Sequence, residues 1–154
     1  MDGSPALFAT PEDLLNAVGT HLPTTEWMVV EQERIDTFAD AIGDHQWIHV
    51  DAERAADGPF GSTIAHGYLT LSMIGGLIAD VISVPGASSV LNYGLEKVRF
   101  PAPVPVGSWV RLTSSIAAAE PAPGGVQLSI QARVECRETT KPACVATAVY
   151  RFLN

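Results

Sequence analysis

Positive charge is scarce in this chain. Its 154 residues carry nine Lys plus Arg against seventeen Asp plus Glu, a formal net charge of −8. The nine cations are scattered with no cluster, which argues against nucleic-acid binding, since that requires a basic stripe or patch. Cysteine is scarcer still. Cys136 and Cys144 have neither metal-ligand spacing nor a Cys-x-x-Cys pattern, which excludes a zinc ribbon and a redox pair. They are expected to be reduced thiols in strands, placed to face each other across a hairpin closed near Arg137–Ala143. The opening MDGSPALFATPEDLL has no basic n-region and no apolar h-region, so nothing suggests export and the cytoplasm is the expected setting. A Gly-rich phosphate loop, a Gly-x-Ser-x-Gly elbow, a zinc constellation, an internal repeat and a low-complexity linker are all missing.

Apolar residues, by contrast, make up 47% of the chain and charged ones only 17%, the composition of a globular protein. The length suits one domain with a proper core, expected to span 1–154 with a short N-terminal helical extension. So low a charged fraction also suggests that some surface is covered by a second copy of the chain.

The longest apolar run is Ile64–Val84, IAHGYLTLSMIGGLIADVISV, whose apolar positions occupy every side of a 3.6-residue period. A helix of that kind is wrapped by protein or set in lipid. His66, Thr70, Ser72, Asp80 and Ser83 interrupt it, and no Lys or Arg flanks it, so a buried helix is expected and not a membrane span. Gly75-Gly76 would let a neighbouring backbone come close. Everything after this run reads as strand, which predicts an α+β architecture: one long helix wrapped by an antiparallel sheet.

Before the run, Thr10-Pro11-Glu12-Asp13 reads as a helix start, predicting a lid or docking helix over Pro11–Val18. Trp27–Val30 reads as a short strand. Ile35, Phe38, Ala39 and Ile42 mark an amphipathic helix over Glu31–Ile42 that Gly43 ends. Asp51 can cap a short helix over Ala52–Ala56, followed by a loop at Asp57–Gly61. After the run, Leu91, Tyr93 and Leu95 alternate and the phase then slips to Val98 and Phe100, predicting a bulge near Glu96-Lys97. Pro101–Gly107 must be a rigid crossing loop. Val110, Leu112, Ser114 and Ile116 share a face, Pro121–Gly125 reads as a turn, and Val126–Cys136 alternates cleanly. Ala143–Phe152 is apolar enough on both faces to be an interior strand.

Asp44 and His49 are the candidate acid–base pair. They leave a helix at Gly43 and can turn to one point, where a carboxylate and an imidazole on one water make proton-transfer chemistry possible. The plainer alternative is a loop-capping acid and a half-buried imidazole. Gly67 opens the central helix, where its N–H has no intrahelical partner and can meet a carbonyl oxygen; equally, Gly67 can serve tight packing while His66 caps or packs. Asn92 and Tyr93 are pocket-lining candidates or ordinary sheet residues, and Arg99 can meet a phosphate or simply be solvated. His21 and His45 have no evident partner.

The segment Phe38-Ala39-Asp40-Ala41-Ile42-Gly43-Asp44, followed by Ile48-His49 and then by Ile64-Ala65-His66-Gly67, resembles the MaoC-like, (R)-specific enoyl-CoA hydratase family. Val98-Arg99-Phe100-Pro101-Ala102-Pro103-Val104 also resembles the segment that follows that family's first strand after the helix. The likeness runs from Thr25 to about Tyr150. Gly43, Asp44, Ile48 and His49 fit the signature Gly-Asp-x-Asn-Pro-aliphatic-His, whereas Gln46 replaces the usual Asn and Trp47 the usual Pro, a form similar to the nodulation-protein-N-like branch. The resemblance implies a hot-dog fold, usually a homodimer, acting on an acyl-CoA thioester without cofactor or metal. It implies reversible addition of water to a trans-2-enoyl-CoA, giving the (3R)-hydroxyacyl-CoA. Asp44 and His49 would then exchange protons, Gly67 would hold the thioester oxygen, and His66, Ser72, Asn92 and Tyr93 would be candidates to line the pocket. An acyl-CoA thioesterase on the same fold, with Asp80 as its acid, is the runner-up, and a non-catalytic acyl-thioester-binding module is the third reading.

Overall fold

A computed structural model of the chain describes residues 3–154; the first two positions of the expected 1–154 domain lie outside the described residues. Five strands form one antiparallel sheet in the order β2–β5–β6–β7–β4: β2 is Met28–Val29, β4 Ser89–Arg99, β5 Trp109–Ala122, β6 Gly125–Cys136 and β7 Cys144–Leu153. A parallel two-residue pair, β1 (Ala6–Leu7) with β3 (Ile82–Ser83), lies apart from it. The helices are α1 (Gln32–Ile42), α2 (Trp47–Val50), α3 (Ala52–Ala56) and α4 (Gly67–Leu77).

The helix inside the sheet is α4, and it is shorter than the predicted Ile64–Val84. Ile64 and Ala65 are drawn into sheet-like pairing before it starts: the Ile64 N–H goes to the Ile48 carbonyl and the Ala65 N–H to the Val104 carbonyl. At the other end a 3-10 turn over Ile78–Asp80 leads into β3, which the N-terminal β1 recruits as a strand. Sequence periodicity could not foresee that pairing, because its partner lies more than seventy residues earlier in the chain. Leu69, Met73 and Leu77 recur at i, i+4 and i+8, and with Thr70 and Ile74 they bury one side of α4. They join Leu112, Ile116, Leu128, Ile130 and Val134 of the sheet in one core; burying each side chain of this size contributes roughly 1.5–3 kcal/mol. No helix among the described residues is long and apolar enough to cross a membrane.

Gly75 and Gly76 have nothing within 4 Å of where a Cβ would stand. The expected close approach of a neighbouring backbone does not occur; the pair faces open grooves instead. The predicted Pro11–Val18 helix is a 3-10 turn over Pro11–Asn16. The Thr10 N–H donates to the Asp13 carboxylate at 2.9 Å, and Leu14 is fully buried in the core, so the segment docks on the sheet as expected. The bulge falls where the phase slips: register shifts between Glu96 and Arg99, with Lys97 at φ 53. A second shift, between Asn92 and Gly94, left no sequence signal. β7 is interior, between β6 and β4. The β5–β6 turn is tighter than Pro121–Gly125, because Pro121 and Ala122 already pair with Val126 and Gly125. Cys144 pairs with Val134 and Cys136 with Val110, so the two thiols, both buried and free, are not opposite one another.

β4 closes one edge of the sheet and is exposed along almost its whole length. Val90, Leu91, Tyr93 and Leu95 are each about half exposed, at 49, 48, 55 and 50%. A long apolar edge of this kind is a template for pairing with another strand.

Candidate active site

The site begins where α1 stops. Ile35 and Ala39 bury the helix's inner face, and Gly43 ends it in the left-handed region at φ 75, donating its N–H to the Ala39 carbonyl; that conformation costs glycine little and other residues more. The reversal turns Asp44 back toward the body of the protein. Its carboxylate accepts the Gln46 N–H at 3.3 Å, and α2, starting immediately afterwards, carries His49. Gln32 braces the arrangement by donating to the His49 carbonyl at 2.7 Å while accepting from the Thr63 hydroxyl. Neither Gln32 nor Thr63 was a candidate from sequence, and nothing in their spacing could have marked them.

His49 and His66 are both almost fully buried, at 6 and 3% exposure. His49 Nδ1 lies 2.7 Å from the Ile64 carbonyl oxygen, and His66 Nε2 lies 2.9 Å from the Asp44 carbonyl oxygen. A carbonyl oxygen can only accept, so the proton sits on Nδ1 of His49 and on Nε2 of His66. The other nitrogens, His49 Nε2 and His66 Nδ1, therefore carry lone pairs in the neutral rings. Asp44, His49 and His66 come together here, a carboxylate oxygen and one ring nitrogen of each histidine all lying within 4.8 Å of one another. Two atoms hydrogen-bonded to the same water stand about 4.6 Å apart, from ordinary bond lengths of 2.7–2.8 Å. A group gathered within that limit can share one water.

The same three residues have the composition of a two-His, one-carboxylate metal site, but their geometry does not fit one. The imidazole rings are stacked, with centroids 3.8 Å apart and planes 23° apart. A metal lies in the plane of each ring that binds it, and two nearly parallel rings cannot share one ion without turning.

Beside this cluster the first turn of α4 begins. The Gly67 N–H has no backbone acceptor among the described residues, as the first turn of a helix leaves it. A Cβ at Gly67 would stand 3.2 Å from the Phe100 ring, so the missing side chain serves packing, as the plainer alternative has it. Phe38 meets the His66 ring edge-on at 5.2 Å and lines, with Leu69 and Arg34, a cavity of about 550 Å³. A further cavity of about 580 Å³ continues along α4 past Leu69, Ser72, Met73 and Gly76 to Met28 and Trp27. Around the helix from it, with Ser72 bordering both, Ser72 and Gly75 share a groove of about 300 Å³ with Asn92 and Tyr93 of β4. Of the pocket candidates, then, Ser72, Asn92 and Tyr93 lie together, whereas His66 lies with Asp44 and His49.

Other candidates lie elsewhere. His45 pairs with Asp40 at 2.7 Å on the surface, and Arg99 donates to the carbonyl of Val98. Asp80 is exposed in the 3-10 turn beyond the far end of α4, and the ten residue steps of α4 from Gly67 to Leu77 alone span roughly 15 Å at about 1.5 Å per residue, which leaves the thioesterase reading without an acid at this site. Trp47, the residue in place of the usual Pro, faces away from the cluster: its ring packs on Gly58 and lies 4.4 Å beneath the Arg54 guanidinium.

A bent sheet around one helix, with a carboxylate and two imidazoles gathered at that helix's first turn, defines a hot-dog fold, and the relatives it matches are hydro-lyases. Residues 13–122 match the model of the MaoC like domain. The chain is 50% identical over 147 residues to 3-hydroxyacyl-thioester dehydratase Z of Mycobacterium tuberculosis, covering 95% of this chain and 97% of that one. It is 48% identical over 101 residues to nodulation protein N of Rhizobium leguminosarum bv. viciae, covering 64% and 63%. Among solved structures it superposes on the unliganded R-hydratase PhaJ1 of Pseudomonas aeruginosa with a TM-score of 0.75 at 25% identity, over 95% of this chain and 86% of that one. The chain belongs to the MaoC-like dehydratase family.

Proposed function

We propose that this protein is an (R)-specific enoyl-CoA hydratase, which adds water reversibly to a trans-2-enoyl-CoA to give the (3R)-hydroxyacyl-CoA. The observation that carries the reading is the convergence of Asp44, His49 and His66 within 4.8 Å beside the unpaired Gly67 N–H. One member of the Asp44–His49 pair takes a proton from water as its oxygen attacks Cβ, and the other delivers a proton to Cα from the same face. The Gly67 N–H holds the thioester oxygen as negative charge builds there, stabilising the enolate. The name borne by the relative that is half identical over nearly the full length, a 3-hydroxyacyl-thioester dehydratase, describes the reverse of this reaction.

The cavities flanking α4 receive the acyl chain. A mid-helix glycine costs about 1 kcal/mol against alanine, and the pair at 75–76 supports no backbone contact, so room beside the helix is what it provides. The exposed apolar β4 edge pairs with that of a second copy, making a homodimer. Residues 1–154 act as a single hot-dog domain in the cytoplasm, where buried free thiols such as Cys136 and Cys144 stay reduced.

The test is hydration of crotonyl-CoA, followed by loss of enoyl absorbance with chiral analysis of the product. An (R) product formed by the wild type and lost in Asp44→Asn supports the reading. Release of free thiol would indicate a thioesterase, and binding without turnover a passive module; either result removes the hydratase.

A further inference from the structure

His49 sits on a helix too short to hold itself. α2 is four residues long, and so short a helix leaves its last carbonyls without donors of its own. Among the described residues the donor to the His49 carbonyl is a side chain seventeen residues earlier: Gln32 Nε2, in the first turn of α1, at 2.7 Å. The other hydrogen on that nitrogen goes to the Asp36 carboxylate at 2.8 Å. The Gln32 oxygen accepts from the hydroxyl of Thr63, which is 2% exposed. Both hydrogens and the oxygen of the amide are thus engaged, which fixes its orientation: nitrogen toward two acceptors, oxygen toward a donor.

What this amide holds is the seat of the His49 ring. The imidazole is slung between two stretches of backbone: that of its own residue, and that of Ile64, whose carbonyl takes the Nδ1 proton at 2.7 Å. Gln32 is bonded to the first directly and, through Thr63, to the residue that precedes the second. It therefore sets the separation of the two stretches, and with it the place of His49 Nε2, the nitrogen left for proton transfer. Gln32 lines none of the cavities beside α4. Resting on the hydratase reading, we infer that Gln32 is a positioning residue for the reaction, placing His49 for proton transfer without touching substrate. Rate depends steeply on such placement, a shift of about 1 Å costing about 10²-fold.

Two variants separate this effect from simple packing. In Gln32→Glu an oxygen remains for the Thr63 hydroxyl, but no hydrogen remains for the His49 carbonyl. The new charge is favoured at a helix N-terminus and opposed by Asp36 one turn on, so the melting temperature is expected to change little. Gln32→Met combined with Thr63→Val removes the buried hydroxyl together with its acceptor, and exchanging both partners for apolar groups of similar shape is nearly neutral for stability. Each variant is expected to lose about 10–10²-fold in kcat for crotonyl-CoA, while KM and the affinity for butyryl-CoA, which has no double bond to hydrate, stay unchanged. Were the role structural alone, kcat would return with the melting temperature in the double variant. Wild-type kcat in either variant, a loss carried by KM alone, or failure of Gln32→Glu to fold overturns the inference and leaves the hydratase standing.

The His49 Nδ1 proton gives a reading that needs no turnover. Held on the Ile64 carbonyl, it is expected to exchange slowly with solvent in the unmutated protein and faster in Gln32→Glu, as followed by NMR. Equal exchange in the two proteins also overturns the inference. A wild type inert toward enoyl-CoA would remove the hydratase reading, and the exchange rates would still decide whether Gln32 seats His49.

Discussion

His49 and His66 lie ring on ring, with centroids 3.8 Å apart, and each is tied to the other's neighbourhood: His49 to the Ile64 carbonyl two residues before His66, and His66 to the carbonyl of Asp44 on the turn that leads to His49. The two bonds lace the end of α1, α2 and the start of α4 into one unit. Preorganised groups of this kind can act without rearranging as charge develops.

That lacing uses the backbone of Asp44 and leaves its carboxylate bonded, among the described residues, only to the Gln46 N–H, at 3.3 Å. Asp44→Asn keeps the carbonyl that accepts from His66, and its side chain is exposed, so thermal stability is expected to stay within about 0.5 kcal/mol. Enoyl-CoA hydration is expected to fall about 10²–10⁴-fold, the usual contribution of a positioned acid or base. Differential scanning fluorimetry beside a steady-state assay checks both halves; near wild-type turnover would contradict the assigned role.

How much of this could be seen in the sequence depended on the range of the interactions. The helix stop at Gly43 was legible because it is a local event, whereas Asp44 and His49 stood out through the family resemblance and not through their spacing alone. The slip at Glu96-Lys97 was equally local. The ends of α4 were not, since Ile64 and Ala65 are claimed by partners at Ile48 and Val104 and Ile82 by Ala6. His66 entered as a pocket candidate because its nitrogen partners are set by long-range backbone contacts, and the use of Gly75-Gly76 was misread because an open groove leaves no trace in composition.

Gly75 and Gly76 provide a test of the cavities. Nothing stands within 4 Å of a Cβ at either site and both are exposed on α4, so Gly75→Ala and Gly76→Ala are each expected to stabilise the protein by about 0.5–1 kcal/mol. Gly76→Leu would fill part of the 580 Å³ cavity. It is expected to leave crotonyl-CoA hydration nearly unchanged and to raise KM for long enoyl chains severalfold. Equal effects across a ladder of chain lengths would mean that the acyl group goes elsewhere.

The apolar edge of β4 makes a separate prediction about assembly. Leu95 is half exposed in the single chain, so a lysine there costs the isolated fold little but blunts strand pairing. Light scattering after size exclusion is expected to give a dimer for the wild type and a shift toward monomer for Leu95→Lys. A wild-type monomer at micromolar concentration would show that this edge is covered in another way.

Cys144 links burial to alkaline stability. The thiol is fully buried, and desolvation pushes its pKa up to about 11 from an ordinary 9.0, because the thiolate loses its hydration. The folded protein therefore keeps the proton between pH 9 and 11 while the unfolded chain releases it. With more protons bound in the native state, stability falls as pH rises through that window. From this residue the loss amounts to roughly 2 to 3 kcal/mol, at about 1.4 kcal/mol per pKa unit. Urea titrations at pH 8 and pH 10.5 are expected to show a steeper loss in the wild type than in Cys144→Ala, whose own stability at pH 8 will be lower because of the space it leaves. The native thiol is also expected to resist iodoacetamide at pH 8 and to react once urea unfolds the chain. Rapid alkylation of folded protein at Cys144 would mean that the β6–β7 hairpin opens far more readily than its pairing at Val134 implies.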